Sequence, residues 1–155
     1  MAAIETDIKR IQRKAREAKS SGPLEVRLDI GDACPQGDVN VIRILALPRN
    51  AKPRKNRQLA EGSSKGSRHI LADGPALYDV EPGALAEAIA DARPDLYASD
   101  IPSYVCGPVF LIGDEQIGEL NHPEHDNHLY PEPGVYAVTY QRTMLGDGRE
   151  ARALD

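Results

Sequence analysis

Three of the four histidines lie together in the stretch from Gly118 to Arg142. His122, His125 and His128 follow one another at three-residue spacing. The neighbouring carboxylates are Glu119, Glu124 and Asp126. Imidazole nitrogens and carboxylate oxygens bind divalent transition metals, and the same groups act as general acids and bases. This stretch therefore holds the side chains best suited to chemistry.

A transition-metal site needs three or four ligands that converge on one point at about 2.0–2.3 Å. We expect His122 and His125 to provide two imidazoles and His69, from an earlier loop, to provide the third. His128 and the neighbouring carboxylates are alternative ligands. Pro123 interrupts any helix through the segment, so a loop must bring the imidazoles together. A divalent transition metal is the one cofactor that the sequence suggests.

Two other roles for this segment remain open. Pro, Asp, Asn and His side chains are common between strands, where they hydrogen-bond to the backbone. His125 would then donate a hydrogen bond to a buried carbonyl. Alternatively, His122 or His125 would act with Glu124 in acid–base catalysis. The structural role is the favoured hypothesis, and no catalytic residue is assigned.

A basic loop runs from residue 49 to residue 57. Its cations, the candidate contacts for phosphate or nucleic acid, are Arg49, Lys52, Arg54, Lys55 and Arg57. Clustered Lys and Arg side chains can neutralise a phosphate backbone. No aromatic residue lies between Arg43 and Tyr78, however, so a stacking platform for single strands is missing. The pattern favours a solvated loop, and nucleic acid is not the favoured partner.

The composition bounds the class of protein. The 155 residues suffice for one domain, and their net charge of −5 gives no global attraction to nucleic acid. Aromatic residues make up only 5%, so aliphatic side chains must build most of the core. With Cys34 and Cys106 as the only cysteines, a disulfide framework is excluded. No signal peptide or long apolar run is evident. We therefore expect a cytoplasmic protein, or part of a phage particle, without membrane contact.

Two segments have helical periodicity. Residues 4–19 carry a narrow apolar stripe opposite many Lys and Arg side chains, and such a stripe must dock on the body or on a partner. Residues 83–93 carry a second stripe, which Pro94 ends. We predict an N-terminal helix, through which the chain binds a protein partner or self-associates, and one inserted helix.

Most of the remaining chain has the pattern of strands. Leu24–Ile30 alternates between apolar and polar residues, which predicts a half-buried strand. Val39–Leu47 is the most hydrophobic run and predicts a central strand. Arg68–Leu71 and Ala76–Val80 are predicted to form a hairpin across Asp73–Pro75.

These elements define the predicted fold class. It is α+β and mainly antiparallel β, a small sandwich or barrel with an N-terminal helix and one inserted helix. The predicted divisions are an N-terminal helix and linker over residues 1–22, a β-rich domain over 23–142 and a C-terminal tail over 143–155.

A set of short motifs occurs in a fixed order along the chain. They are Gln36-Gly-Asp-Val39, Leu59-Ala-Glu-Gly62, Gly66-Ser-Arg-His-Ile70, Leu120-Asn-His-Pro-Glu-His125, Pro133-Gly-Val-Tyr136 and Gln141-Arg142. The order resembles a group of uncharacterised small proteins of bacteria and their phages, over about residues 36–142. The resemblance implies one β-rich domain with two histidine-bearing loops and implies no function. Members often carry Gly-His-x-His in the first loop, whereas this chain has Ser67 at the earlier histidine position, which would weaken a metal site that used both.

The favoured function is that of a non-enzymatic accessory or protein-interaction protein of bacterial or phage origin. Its contact surfaces would be the N-terminal helix and the basic loop. One alternative is a metal-binding protein or metal-dependent enzyme that uses His69, His122 and His125. The other is a nucleic-acid-binding module that uses the 49–57 loop.

Overall fold

The computed structural model describes residues 23–61, 68–144 and 150–152. The predicted N-terminal helix over residues 4–19 lies outside them. Apart from one α-helix and two short 3-10 turns, the regular structure of the described residues is strand. The strands are β1 (Leu24–Glu25), β2 (Ala33–Gln36), β3 (Val39–Ile44), β4 (Lys52–Pro53), β5 (Gln58–Glu61), β6 (Arg68–Leu71), β7 (Ala76–Asp79), β8 (Cys106–Ile112), β9 (Gly118–Asn121), β10 (His128–Tyr130), β11 (Gly134–Tyr140), β12 (Arg142–Met144) and β13 (Glu150–Arg152).

The strands form two large sheets and a separate two-stranded pair. One sheet has five strands in the order β1-β10-β9-β6-β5, and the other has six in the order β2-β3-β11-β8-β7-β4. Strands β1 and β10 run parallel, and the other pairs are antiparallel. Within the described ranges, neither large sheet closes into a barrel. The mainly antiparallel β class is therefore confirmed.

Both faces of the six-stranded sheet are covered, one by the five-stranded sheet and the other by the helix. On β11, Tyr136 and Val138 join the core cluster that also contains Leu71 and Leu120 of the five-stranded sheet. The intervening Ala137 faces the opposite way, into a second cluster against the helix. Successive side chains of a strand point to opposite faces, so a central strand that is covered on both sides needs apolar side chains on both. The hydrophobic run from Val39 predicted such a strand. The strand in that run ends at Ile44 rather than at Leu47.

Three aromatic side chains fill the core between the two sheets. The Phe110 ring lies 5.8 Å from the Tyr130 ring and 5.3 Å from the Tyr136 ring, measured between centroids. Tyr130 and Tyr136 are themselves 5.4 Å apart. Burial raises the pKa of the Tyr130 phenol far above its ordinary value. In a chain with few aromatic residues, this cluster supplies the largest pieces of the core.

The helix α1 (Pro82–Ala92) confirms the predicted inserted helix to within one residue at each end. Its start is favoured because Pro is tolerated in the first turn of a helix, and its end precedes Pro94, which disfavours helical geometry at the residue before it. Leu85, Ile89 and Ala92 pack against the outer face of the six-stranded sheet.

The predicted hairpin across Asp73–Pro75 is wrong. Strand β6 pairs with β5 and β9 in the five-stranded sheet, whereas β7 pairs with β4 and β8 in the six-stranded sheet. The connection crosses between the sheets and is held by Arg57, whose guanidinium donates to the carbonyls of Leu71, Ala72 and Pro75. Local alternation could not reveal to which sheet each strand belongs.

Two other segments differ from the sequence prediction. In the alternating run that ends at Ile30, only Leu24 and Glu25 pair as a strand, and they do so at the edge of the five-stranded sheet. Val26 and Leu28 are nevertheless buried, whereas Leu24 and Ile30, on the same face of the predicted strand, are exposed, so the alternation correctly marked only the middle pair of core-facing side chains. Beyond residue 142, β12 and β13 pair with each other, so secondary structure continues into the segment predicted as a tail.

Among the residues that the structure describes, no helix is long and apolar enough to cross a membrane.

Replacing Phe110 with alanine should strongly destabilise the fold, because Phe110 is fully buried against Tyr130 and Tyr136. We expect urea denaturation to show a loss of about 3–5 kcal/mol in the free energy of unfolding. Tyr97→Ala is the matched control, since that ring is 75% exposed, and its effect should stay within about 0.5 kcal/mol. Equal losses in the two variants would contradict the core assignment.

Candidate functional site

His69 stands at the centre of the candidate site and is completely buried. Strand β6 alternates, so that His69 and Leu71 face the core while Arg68 and Ile70 face outward. A fully buried imidazole must have hydrogen-bond partners for its ring nitrogens, because an unpaired buried polar group costs free energy.

The partners of His69 come from the turn between β2 and β3 in the other large sheet. Its Nδ1 lies 3.0 Å from Gln36 Oε1 and its Nε2 lies 3.1 Å from Asp38 Oδ1. Gly37 has a φ of 59°, the left-handed conformation that glycine adopts readily in a two-residue hairpin turn. The tight turn therefore presents Gln36 and Asp38 together to one imidazole.

The hydrogen bonds of Gln36 determine the protonation of His69 Nδ1. Gln36 Nε2 donates to the carbonyls of Leu120, at 3.0 Å, and Asp126, at 2.8 Å. The amide oxygen is therefore the atom that faces Nδ1, and Nδ1 must carry a proton to donate to it. On the other side of the ring, Nε2 faces the Asp38 carboxyl, so both ring nitrogens of His69 are engaged by polar groups of the β2–β3 turn.

His122 and His125 extend the cluster through contacts between tilted rings. The His122 ring lies 4.4 Å from the His69 ring and 4.4 Å from the His125 ring, measured between centroids, with interplanar angles of 38° and 33°. The His69 and His125 rings are 6.4 Å apart and nearly parallel, at 18°. The structure thus brings together the three histidines that the sequence analysis selected.

A local hydrogen bond fixes the orientation of the His122 ring. The backbone N–H of Glu124 donates to His122 Nδ1 at 3.0 Å, so Nδ1 is an acceptor and carries no proton. This side-chain-to-backbone bond two residues along the chain is typical of a turn. It is the kind of structural role that the sequence predicted for histidines of this loop.

The contacts of this cluster differ from those of a coordination sphere. Both ring nitrogens of His69 face Gln36 and Asp38, and Nδ1 of His122 accepts a hydrogen bond from the Glu124 backbone, so these three nitrogens are directed to protein groups rather than to one common point. Among the residues that the structure describes, no group of three or more His, Cys, Asp or Glu side chains is arranged to hold a metal ion. Coordination by His69, His122 and His125 stays a prediction.

His128 begins strand β10 and lies buried beside Cys34, with 3.9 Å between Nδ1 and the cysteine Sγ. Burial lowers the pKa of His128, the carboxylate of Asp126 opposes this effect, and the electrostatic influence of the nearby His125 and His69 rings adds to it. Burial also raises the pKa of the Cys34 thiol. Both effects favour a neutral pair.

The arginines of the predicted basic loop are held by internal contacts. Arg49 pairs with Glu87 at 3.3 Å and Arg54 with Asp79 at 3.1 Å, and Arg57 supports the crossing between the sheets. Lys52 and Lys55 are exposed. The loop does not gather its five cations toward one ligand, and contact with phosphate or nucleic acid stays a prediction.

Sequence reasoning missed Gln36 and Asp38 as members of the site. Both lie in the Gln-Gly-Asp-Val motif, but a polar pair around a glycine is also the ordinary composition of a hairpin turn. Their burial, at 2% exposure each, was the decisive feature, and it depends on the opposite sheet.

A family model for a domain of unknown function, DUF8820, matches residues 35–141. The chain therefore belongs to this family. The matched span contains Gln36, Asp38 and all four histidines, and it coincides almost completely with the span of the resemblance noted from the sequence. No curated protein and no solved structure matches the chain.

Removing His69 should destabilise the protein severely, because the buried Asp38 carboxyl would lose the imidazole that pairs with it. We expect His69→Ala to lose about 3–5 kcal/mol of unfolding free energy in urea titrations at neutral pH. Asp38→Asn should lose clearly less, since the asparagine amide can still donate to Nε2 of a neutral imidazole. An Asp38→Asn variant as unstable as His69→Ala would contradict this network.

His128 should make the fold less stable in mild acid. Its pKa is lower in the folded chain than the ordinary value of 6.5, so the unfolded chain binds the proton more readily. Its stabilising contribution is complete above about pH 6.5 and is lost as the pH falls toward the folded pKa. We expect His128→Gln to show a smaller drop in unfolding free energy than wild type between pH 7.5 and 5.5. Identical drops would exclude this role.

Proposed function

We propose that this chain is a non-enzymatic accessory protein that acts by binding another protein. The observation that carries the proposal is the use of both His69 nitrogens in hydrogen bonds to Gln36 and Asp38. The histidine that links the two predicted loops is thereby committed to holding the fold. Its role is to support a binding surface rather than to react.

The proposed binding surface lies on the outer face of the five-stranded sheet. His122, in contact with His69, forms part of the wall of an open depression between β6 and the loop after β9. The position of that loop depends on Gln36, which donates to the Asp126 carbonyl within it. A rigid loop beside a sheet is a suitable frame for recognition, because little order must be gained on binding.

The interaction surface differs from the two surfaces that the sequence favoured. The basic loop uses its arginines internally, and the N-terminal helix lies outside the described residues. A contribution of that helix to partner binding or self-association remains part of the proposal, as does an origin in bacteria or phages.

A metal-binding protein is the second candidate, and one observation favours it. Three imidazoles lie within 6.4 Å of one another, beside the buried Asp38. Coordination would require His69 to give up its bond to Gln36 or Asp38 and the rings to turn. That rearrangement leaves buried polar groups unpaired, which weighs against it.

Metal analysis separates the two candidates. The protein should be purified without a metal-affinity tag, and its zinc, iron and manganese contents should be measured by mass spectrometry. We expect each to be far below one per chain, and a chelator should leave the denaturation midpoint unchanged, because a bound metal would stabilise the fold.

The histidine variants provide the control for that measurement. Near-stoichiometric metal that disappears in both His122→Ala and His125→Ala, but persists in His128→Gln, would overturn the proposal that this cluster only supports a binding surface, in favour of the metal-binding candidate. The third variant is matched, since it removes a buried histidine of the same segment whose ring lies beside Cys34 rather than against His69, His122 or His125.

A further inference from the structure

The open depression on the five-stranded sheet has a volume of about 550 Å³. It is lined by outward-facing side chains of β6 and β9 and by the loop that follows β9. These residues are Arg68, Ile70, Asn121, His122, Pro123 and Asn127. The lining combines a cation, two amides and an apolar floor, so it offers several kinds of contact within one small area.

Arg68 is the first sign that the depression binds a ligand. Its side chain is exposed, and it makes no ion pair or hydrogen bond with any side chain that the structure describes. The other arginines with described side chains all have partners, and they are Arg27, Arg43, Arg49, Arg54, Arg57 and Arg93. A guanidinium presents a planar fork of donors that matches a carboxylate or phosphate.

Asn121 is the second, independent sign. Its Oδ1 atom is shielded from solvent and has no hydrogen-bond partner among the described residues. In the β6–β9 register Asn121 lies opposite Ile70, two residues from Arg68 on the same outward face. Because buried acceptors are normally satisfied, rotation of the Asn121 side chain toward the depression would let this oxygen accept an N–H or O–H group of a ligand close to Arg68.

We propose that the depression binds an acidic peptide segment of a partner protein. A carboxylate of the peptide pairs with Arg68, and a backbone N–H donates to Asn121 Oδ1. A small apolar side chain of the peptide covers Ile70 and Pro123. This inference rests on the proposed interaction function and names the chemistry of its partner.

The charges around the depression favour a single carboxylate over a polyanion. The chain carries a net charge of −5, and Glu124 and Asp126 belong to the same loop as Pro123. Several adjacent phosphates would be repelled by these carboxylates. The depression also contains no aromatic side chain other than the His122 imidazole, whereas single-stranded nucleic acids bind through successive stacked bases.

A selection from randomised twelve-residue peptides tests the proposal with the full-length protein. We expect the enriched peptides to share an Asp or Glu, and its replacement by Asn or Gln should weaken binding about tenfold, as for the loss of a charge-assisted hydrogen bond. Amide chemical-shift changes on binding should centre on Arg68, Ile70 and Asn121.

Two arginine variants show whether the depression is responsible. Arg68→Gln should weaken the selected peptides about tenfold, whereas Arg27→Gln, at another exposed arginine, should leave affinity within about twofold. Both side chains lie outside the core, and thermal denaturation confirms that each variant folds. Selected peptides without an acidic residue, or with equal affinity for Arg68→Gln, would overturn the proposal.

Inorganic phosphate and a single-stranded oligonucleotide serve as competing probes. If either shifts the Arg68 and Asn121 resonances while acidic peptides do not, the ligand is a phosphate and the peptide proposal fails. The result of the peptide experiment can be separated from the result of the metal analysis. A stoichiometric metal would overturn the proposal that the histidine cluster only supports a binding surface, even if peptides bound at Arg68, and a metal-free protein that ignored acidic peptides would refute only this inference.

Discussion

The hydrogen bonds of His69 to Gln36 and Asp38 are the interaction on which the rest of the structure depends. They join β6 of one sheet to the β2–β3 turn of the other, and Gln36 extends the connection to the backbone of β9 and of the following loop. The network lies within the protein, where hydrogen bonds are stronger and an unpaired group is more costly than in water. The packing of the aromatic core is not directional, so these directional hydrogen bonds are what specifies how the two sheets are aligned.

This constraint also shapes the outer surface. The loop after β9 is held from below by Gln36 and by the contact of His122 with His69, so its residues form one wall of the depression that contains Arg68 and Asn121. On β6, the buried His69 and the outward-facing Arg68 and Ile70 occupy opposite faces of one strand. His69 thus contributes to binding indirectly, because it holds the strand and the loop in place, while the outward-facing neighbours of His69 contact the ligand.

Local patterns anticipated much of the fold. The run from Val39 predicted a central strand, and the stripe before Pro94 predicted the helix α1, because period 2 and period 3.6 follow directly from backbone geometry. The same patterns failed at β6 and β7, which were expected to pair. Alternation records which side chains face a core, but both sheets share that core, so the pairing partner is not encoded locally. The internal role of Arg57 is likewise not encoded locally, because the carbonyl groups that accept its hydrogen bonds lie in the connection between the two sheets.

The sequence by itself determined the mainly β class, the inserted helix, the residues that face the interior and the choice of His69, His122 and His125 as one cluster. The tertiary structure decided what that cluster is. The partners of His69 lie more than thirty residues away, on the opposite sheet, and a ring nitrogen is available for chemistry only if no such partner occupies it. Hydrogen-bond satisfaction is a property of the assembled fold, since burial creates both the need for a partner and the proximity that meets it.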